Sequence, residues 1–417
     1  MDDASTIDDA RTVGARIKVL RKWRRMTQQT VAELAEFSQP FLSQVERGQM
    51  ALDRRSHIAG LARALNVSEA DIIGGPHLSG DPAQLDAYAS IPALRMALQS
   101  SSIGRPAIDM ARPLPELATE RNVTVERLIR LCDYAGSGNH LPSLIEELHF
   151  HAFAPRDEPA LRLALETLVE AYANAAEMAR HAGQRDLASV ASIKALQAAD
   201  ILDDPVQKGK AAMWHLLNMP HEGTSSLAAW ERTHIAAKDA VDQLEPHARE
   251  PRGIQVLGML TLMTSLTAAA MKQHETAKTW LGEADDLARR VDDELDHNWM
   301  GFSTTNVGLW RIAIGVERGE SGGAVLEMAK PIHSEKLDHY RSRKAAFFSD
   351  VGRALARERK TLNDSVPWLR RAETAAPAFI RNNMPVRHTC EVLHGKNLAP
   401  SMRVELRGMM ARMGIPH

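Results

Sequence analysis

Over the first seventy residues, apolar positions recur at helical spacing in segments too short to persist alone. Val13, Ile17 and Leu20 share one face of a helix predicted from about Thr12 to Trp23. Thr27 caps a second helix, which carries Val31 and Leu34 inward and ends near Ala35. Ser38 caps a third, with Pro40 in its first turn, Leu42 and Val45 on its buried face and Gly48 as its stop. A fourth is capped by Asp53 and ends at Leu65. A fifth, "EADII", follows a cap at Ser68 and stops at "GGP". Helices this short hold only by packing on one another.

Beyond the Gly/Pro-rich stretches "GGPHLSGDP" and "AYASIPALR", helical patterns continue almost to the end. Apolar runs of period two are hard to find, so the predicted class is all-α. The divisions are a head at 10–74, a helical linker and first body helices at 75–155, and a long body at 156–410. "AGSGNHLP" is expected to break the chain, and "HFH" at His149 and His151 to sit in a loop. Several later helices place a small residue, a larger one four positions on and another small one after it. Ala277, Leu281 and Ala284 do so, as do Ser365, Leu369, Ala372 and the stop Pro377, with Ala324 and Met328 in part. Small residues let helices cross closely, which predicts helix pairs in tandem, an α-solenoid; an irregular helical bundle is the alternative.

Charge divides the chain the same way. From Arg11 to Leu65, eleven Lys/Arg face only Glu33, Glu36, Glu46 and Asp53, a net +7, whereas the whole chain carries −2. A small basic head on an acidic body suits a nucleic-acid binder with a separate control unit. Glu36 and Phe37 alone separate the second and third helices, so these must cross, as in a helix-turn-helix. On the third helix Gln39, Ser43, Gln44 and Arg47 point away from Leu42 and Val45, towards a major groove. Gln28, in the first turn of the second helix, is placed to hold a phosphate. Arg24, Arg25, Arg54 and Arg55 are candidates for general phosphate attraction.

"MTQQTVAELAEFSQPFLSQVERG" resembles the helix-turn-helix of the phage-repressor-like, XRE-type transcriptional regulators. The likeness continues through "ALDRRSHIAGLARALNVSEADIIG", a form common in actinobacterial members, and covers residues 10 to 74. It implies double-stranded operator DNA as partner, with Gln28 on the backbone and Gln39, Pro40, Phe41, Ser43 and Gln44 facing or approaching bases. It also implies that Glu46 packs inside against an arginine of the first helix, Arg16 or Arg21. Where the family commonly has a glycine in the turn, this chain has Glu36. The body is similar to degenerate tetratricopeptide repeats, and the combination resembles the peptide-pheromone receptor regulators. That likeness implies a homodimer whose body senses a signalling peptide or small molecule.

Candidate ligand contacts come from "DHNWMGFSTTNVGLW". Asn298, Phe302 and Asn306 would share one face of a helix, with Trp299 and Trp310 as pocket walls or as core. In "FIRNNMPVRHT", Arg381, Asn383 and Arg387 could meet a peptide carboxylate. Cys132 and Cys390 stand alone, which fits a reducing cytoplasm, with the protein on the nucleoid. "GIQVLGMLTLMTSLTAAAM" is diluted by threonines and reads as a buried helix, not a membrane span. No metal or cofactor is expected. The glycines of "GESGG" lack a phosphate-binding context, so an enzyme is disfavoured. The rival functions are a DNA-bound adaptor that recruits a partner without sensing a ligand, and a phage or plasmid maintenance repressor.

Overall fold

The structure, a computed structural model, describes residues 12–67, 69–73, 82–100, 105–219, 226–320 and 322–415. Its head has five helices, α1 Val13–Trp23, α2 Gln28–Leu34, α3 Gln39–Glu46, α4 Arg55–Leu65 and α5 Glu69–Ile73. Thr12, Thr27 and Ser38 each accept an amide hydrogen of the first turn that follows them. Ile17, Val31, Leu42, Val45, Leu61 and Leu65 close the core completely. Leu34 does not join it: Ala32 and Ala35 supply the inward face of α2, and Leu34 is 49% exposed. The turn after α2 bends through Glu36 at φ +59°, the left-handed region that explains why a glycine is common there. The expected cap at Ser68 and the Gly/Pro stretch at 74–81 lie outside the described residues.

The body begins with α6 Pro82–Ala89 and α7 Ile91–Ser100. α8 Leu114–Thr119 runs through a π-helical turn, Glu120–Val125, into α9 Glu126–Arg130. α10 Tyr134–Phe153 contains both the expected break and the "HFH" histidines. Asp133 caps its first turn, and Leu141, Leu144, Ile145 and Leu148 bury one face through Pro142. Gly138 serves close packing here, because a Cβ would stand 2.1 Å from Ser90 Oγ. His149 is buried against the Tyr172 hydroxyl.

Four long or medium helices follow: α11 Glu158–His181, α12 Arg185–Leu202, α13 Pro205–Asn218 and α14 Ser226–Leu244. Next come α15 Pro251–Ala270, α16 His274–Ala288, α17 Thr304–Arg318 and α18 Gly322–Ala329. α19 Arg341–Leu355, α20 Leu362–Ala375, α21 Pro377–Arg381, α22 Met384–His394 and α23 Pro400–Arg412 complete the chain. α15 is long and apolar enough to cross a membrane, yet its apolar window is wholly buried inside the fold. Consecutive helices pack as hairpins, including α11 with α12, α15 with α16 and α19 with α20. Alternate helices also touch, α11 with α13, α13 with α15, α15 with α17 and α17 with α19. The small residues picked from sequence sit at these contacts: Ala277, Ala284, Ser365 and Ala372 are fully buried.

The head is seated on the body through the α3–α4 loop and the first turn of α4. Asp53 does not cap α4. Arg54 holds the N-cap position without a side-chain bond, and Glu317, at the end of α17, accepts the amides of Arg55 at 3.0 Å and Ser56 at 2.9 Å. Asp53 is drawn away by α19 and the turn beyond it. Its carboxylate accepts Arg357 Nε at 2.6 Å, and its carbonyl accepts Arg353. Burial would raise the Asp53 pKa, but Arg357 and Arg353 outweigh it and hold the carboxyl below its ordinary range. Leu52 N donates to His388 Nδ1 at 2.9 Å, and Trp230 packs against Ala59 of α4.

Burial pushes His57 and His388 down to about 4. Each therefore contributes stability that is complete above 6.5 and is lost as pH falls towards 4, by roughly 1.4 kcal/mol per unit. Asp53 acts in the same direction below the carboxylate range. Glu391, which burial raises to about 7, opposes them by binding its proton first in the folded state. His388→Asn isolates one histidine from this balance. The stability advantage of the wild type over this variant, taken from denaturant midpoints, should shrink by about 1.4 kcal/mol per unit between pH 6.5 and 4. An advantage independent of pH would remove His388 from the joint.

Candidate functional site

α3 is bounded by α1 and α2, and its outward side carries the polar positions expected from sequence. Glu46 lies inside and pairs with Arg21 at 2.6 Å, whereas Arg16 Nε donates to Asp71 O. Gln28 Nε2 donates to Glu46 at 2.8 Å, and Gln39 Nε2 donates to Gln28 Oε1 at 2.9 Å. The first turns of α2 and α3 are thus tied through one buried ion pair. Pro40 and Arg47 are exposed, and Ser43 and Gln44 are half-buried. Among the described residues no hydrogen bond or ion pair joins α3 itself to the body.

Phe41 differs from its expected place near bases. Its ring packs edge-on against Phe37 at 4.9 Å and His57 at 5.2 Å, where it closes the corner between α2, α3 and α4. Arg24 is exposed and donates to Asn66 O, and Arg25, at φ +54°, is exposed. Arg54 and Arg55 turn away from this face. The Arg54 guanidinium lies so close to Gly319 that a Cβ there would stand 2.1 Å from it, and burial lowers its pKa. Arg55 stands 3.9 Å from the Glu317 carboxylate at the mouth of a cavity in the body, with its side chain still 47% exposed. The cause is the joint, which draws this loop onto the body, half-buries Arg54 and sets Arg55 beside Glu317.

Residues 12–72 match the family described as "Helix-turn-helix domain". They form an XRE-type helix-turn-helix domain. This regulatory, non-catalytic domain supports sequence-specific DNA binding. No curated protein and no solved structure matches the chain. Among the described residues, no group of three His, Cys, Asp or Glu could hold a metal ion.

A cavity of ≈ 590 Å³, open to solvent on one side, lies in the body. Its walls come from the alternate helices α11, α13, α15, α17 and α19, closed by the α8–α9 segment and, from the head, by Arg55. Sequence reasoning missed most of this lining. Glu170, Asn174 and Glu177 lie at four- and three-residue steps on α11, an Ala-rich helix buried over most of its length. That polar stripe on an otherwise apolar helix was the available signal. Glu170 accepts Lys210 at 2.8 Å and Arg121 at 3.2 Å; burial pushes it up, but these cations pull it down to about 2. Glu126 accepts Arg121 and Arg130, each at 2.9 Å.

The residues proposed from "DHNWMGFSTTNVGLW" do not share a helix face. A short turn, Trp299–Gly301, with Met300 at φ +50°, separates Asn298 from α17. Asn298 accepts Gln255 at 2.7 Å and donates to Asp292 O and Phe302 O, so it staples this turn at the cavity edge. Asn306 is buried, with its amide 3.4 Å from Met259 Sδ. Trp299 and Trp310 are buried and also line the cavity. Arg381, Asn383 and Arg387 lie outside it. Arg381 pairs with Glu373 at 3.1 Å, Asn383 caps α22, and Arg387 donates to Arg381 O and Met413 O.

Phe302 is fully buried on Gly258, where a Cβ would stand 1.9 Å from its ring. Gly258→Ala must therefore displace the ring or separate the turn from α15. It is expected to cost about 1–3 kcal/mol in thermal or denaturant unfolding. An unchanged melt would mean that Phe302 is free to move.

Proposed function

We propose that this protein is a DNA-binding transcription regulator whose body holds a signal molecule and sets the placement of the head. The alternate-helix contacts support a solenoid, degenerate tetratricopeptide-like, with the cavity on its inner side. One observation carries the sensing part: Arg55, from the first turn of α4, lines the cavity formed between the body's helices. An occupant would therefore lie beside a residue of the DNA-binding head. Two heads held by a homodimer would read two half-sites and multiply the few contacts that one α3 can make. A reducing, cytoplasmic setting agrees with the two free, buried cysteines.

In this function Gln44, Ser43 and Pro40 meet base edges or sugars, and Gln39 meets bases after exchanging its bond to Gln28. Gln28, Arg24, Arg25 and Arg47 hold phosphates. Arg54 and Arg55 instead serve the joint. A duplex selected from a random pool, followed by anisotropy titration, tests the assignment. Gln39→Ala and Gln44→Ala should each weaken discrimination against competitor DNA by roughly 1–3 kcal/mol for a good base contact. Failure to select any duplex at low salt, or unchanged discrimination in the double variant, would overturn it.

A further inference from the structure

The charged lining of the cavity is unequally partnered. Glu170 and Glu126 are already shared among Lys210, Arg121 and Arg130. Asp350 is occupied by Arg353 at 2.7 Å. Arg180 and Arg343 line the same space, and neither has a carboxylate within ion-pair distance among the described residues. The described bond of Arg343 is a long one, 3.5 Å, to Met300 O, and its guanidinium stands 5.9 Å over the Trp310 ring. The Arg180 Nε finds no acceptor.

Two buried indoles add to this excess of donors. Trp214 and Trp310 are 7% and 8% exposed, both line the cavity, and neither Nε1–H has a partner. Guanidinium and indole groups can only donate, so together they call for acceptors. Around them stand apolar walls from Leu163, Leu217, Leu266, Leu309, Phe347 and Phe379. Glu177 also lines the cavity; among the described residues it makes no hydrogen bond, and it acts on Arg180 and Arg343 only through space, beyond ion-pair distance. The volume falls within the roughly 300–1,000 Å³ of small-molecule sites.

We infer that the cavity binds a small organic anion, an apolar body bearing a carboxylate or phosphate that lies between Arg180 and Arg343 near the Trp310 indole. This rests on the reading of the body as a signal receptor and specifies its ligand class. The anion supplies the acceptors that the lining lacks, and the apolar walls take the remainder of the molecule. Arg343 grips it both as a charge and as a fork matched to two oxygens. Glu177 opposes it as a like charge and so favours ligands whose anionic group keeps to the Arg343 side.

Three fluorescent probes that share a dansylamide body and differ in charge provide the test: dansylglycine, its methyl ester, and the cationic dansylethylenediamine. They are titrated into the full chain without DNA. The carboxylate should bind saturably, at least about tenfold more tightly than the ester, and the amine more weakly still. Arg343→Met should lower carboxylate affinity by about tenfold, and Glu177→Gln should raise it, with melting curves showing that both variants fold. Equal binding of ester and carboxylate, preference for the amine, no saturable binding of any probe, or indifference to Arg343→Met would each overturn the proposal. Operator titrations are run separately. Loss of DNA binding with probe binding intact would sink the regulatory function alone, and the converse would sink only the anion site.

Discussion

The Glu317 carboxylate, buried at the end of α17, closes the open amino end of α4 in the head. A helix leaves its first amides without partners, and a carboxylate placed there satisfies them while meeting the positive end of the helix dipole. Most helices take this cap from their own chain just upstream. Here the nearby acid, Asp53, is taken by Arg357, and the cap comes from across the molecule. The beginning of α4 and the seating of the head are thus one interaction. α4 packs on α2, and α2 is tied to α3 by Gln28, Gln39, Glu46 and Arg21, so the direction of the recognition helix follows from where Glu317 stands.

Removing one member of such a joint differs from weakening a surface ion pair. The exposed Glu36–Lys272 contact at 2.8 Å spans the same two parts, but water competes for both groups and its contribution is small. Asp53 has no such alternative. Its burial cost is offset mainly by Arg357 and Arg353, so loss of either leaves a buried charge less well compensated. The head is therefore held by a few desolvated groups, with exposed contacts such as Glu36–Lys272 and Lys396 on Gln49 O adding little.

The head was legible in the sequence because its signals are local. Thr12, Thr27 and Ser38 cap the helices that directly follow them, and Val31, Leu42 and Val45 lie on faces that period alone identifies. Legibility ended where a distant segment overrode a local preference. Asp53 is a sound cap by type and position, but Arg357 competes for it from three hundred residues away. Arg54 and Arg55 looked like phosphate ligands until the joint claimed their loop. In α10, Gly136, Gly138 and Pro142 read as a break, yet Gly138 is where α10 meets Ser90 and Met178, so tertiary packing outweighs propensity. The Asn298, Phe302 and Asn306 spacing failed because a left-handed Met300 ends the helical register, and nothing in that residue type announces it. Periodicity offered only the polar stripe of α11; the cavity itself stayed hidden, since its walls come from every second helix.

The helices that form the cavity also form the joint. α17 presents Trp310 to the cavity and, two turns later, Glu317 to α4. α19 presents Arg343 and Asp350 to the cavity, and Arg353 to Asp53. From Arg343 to Arg353 the helix rises about 15 Å, short enough to move as one rigid piece. Affinity alone would not make an occupant a signal. It shifts the head only if it binds more tightly when α17 and α19 stand in one arrangement than in another. An anion between Arg180 and Arg343 meets that condition if it shifts α19 relative to α11, because Arg353 rides on the same helix and carries the bond to Asp53 O with it. Under that condition linkage is reciprocal: duplex DNA that favoured the same arrangement would change the affinity of the cavity for the anion by an equal factor.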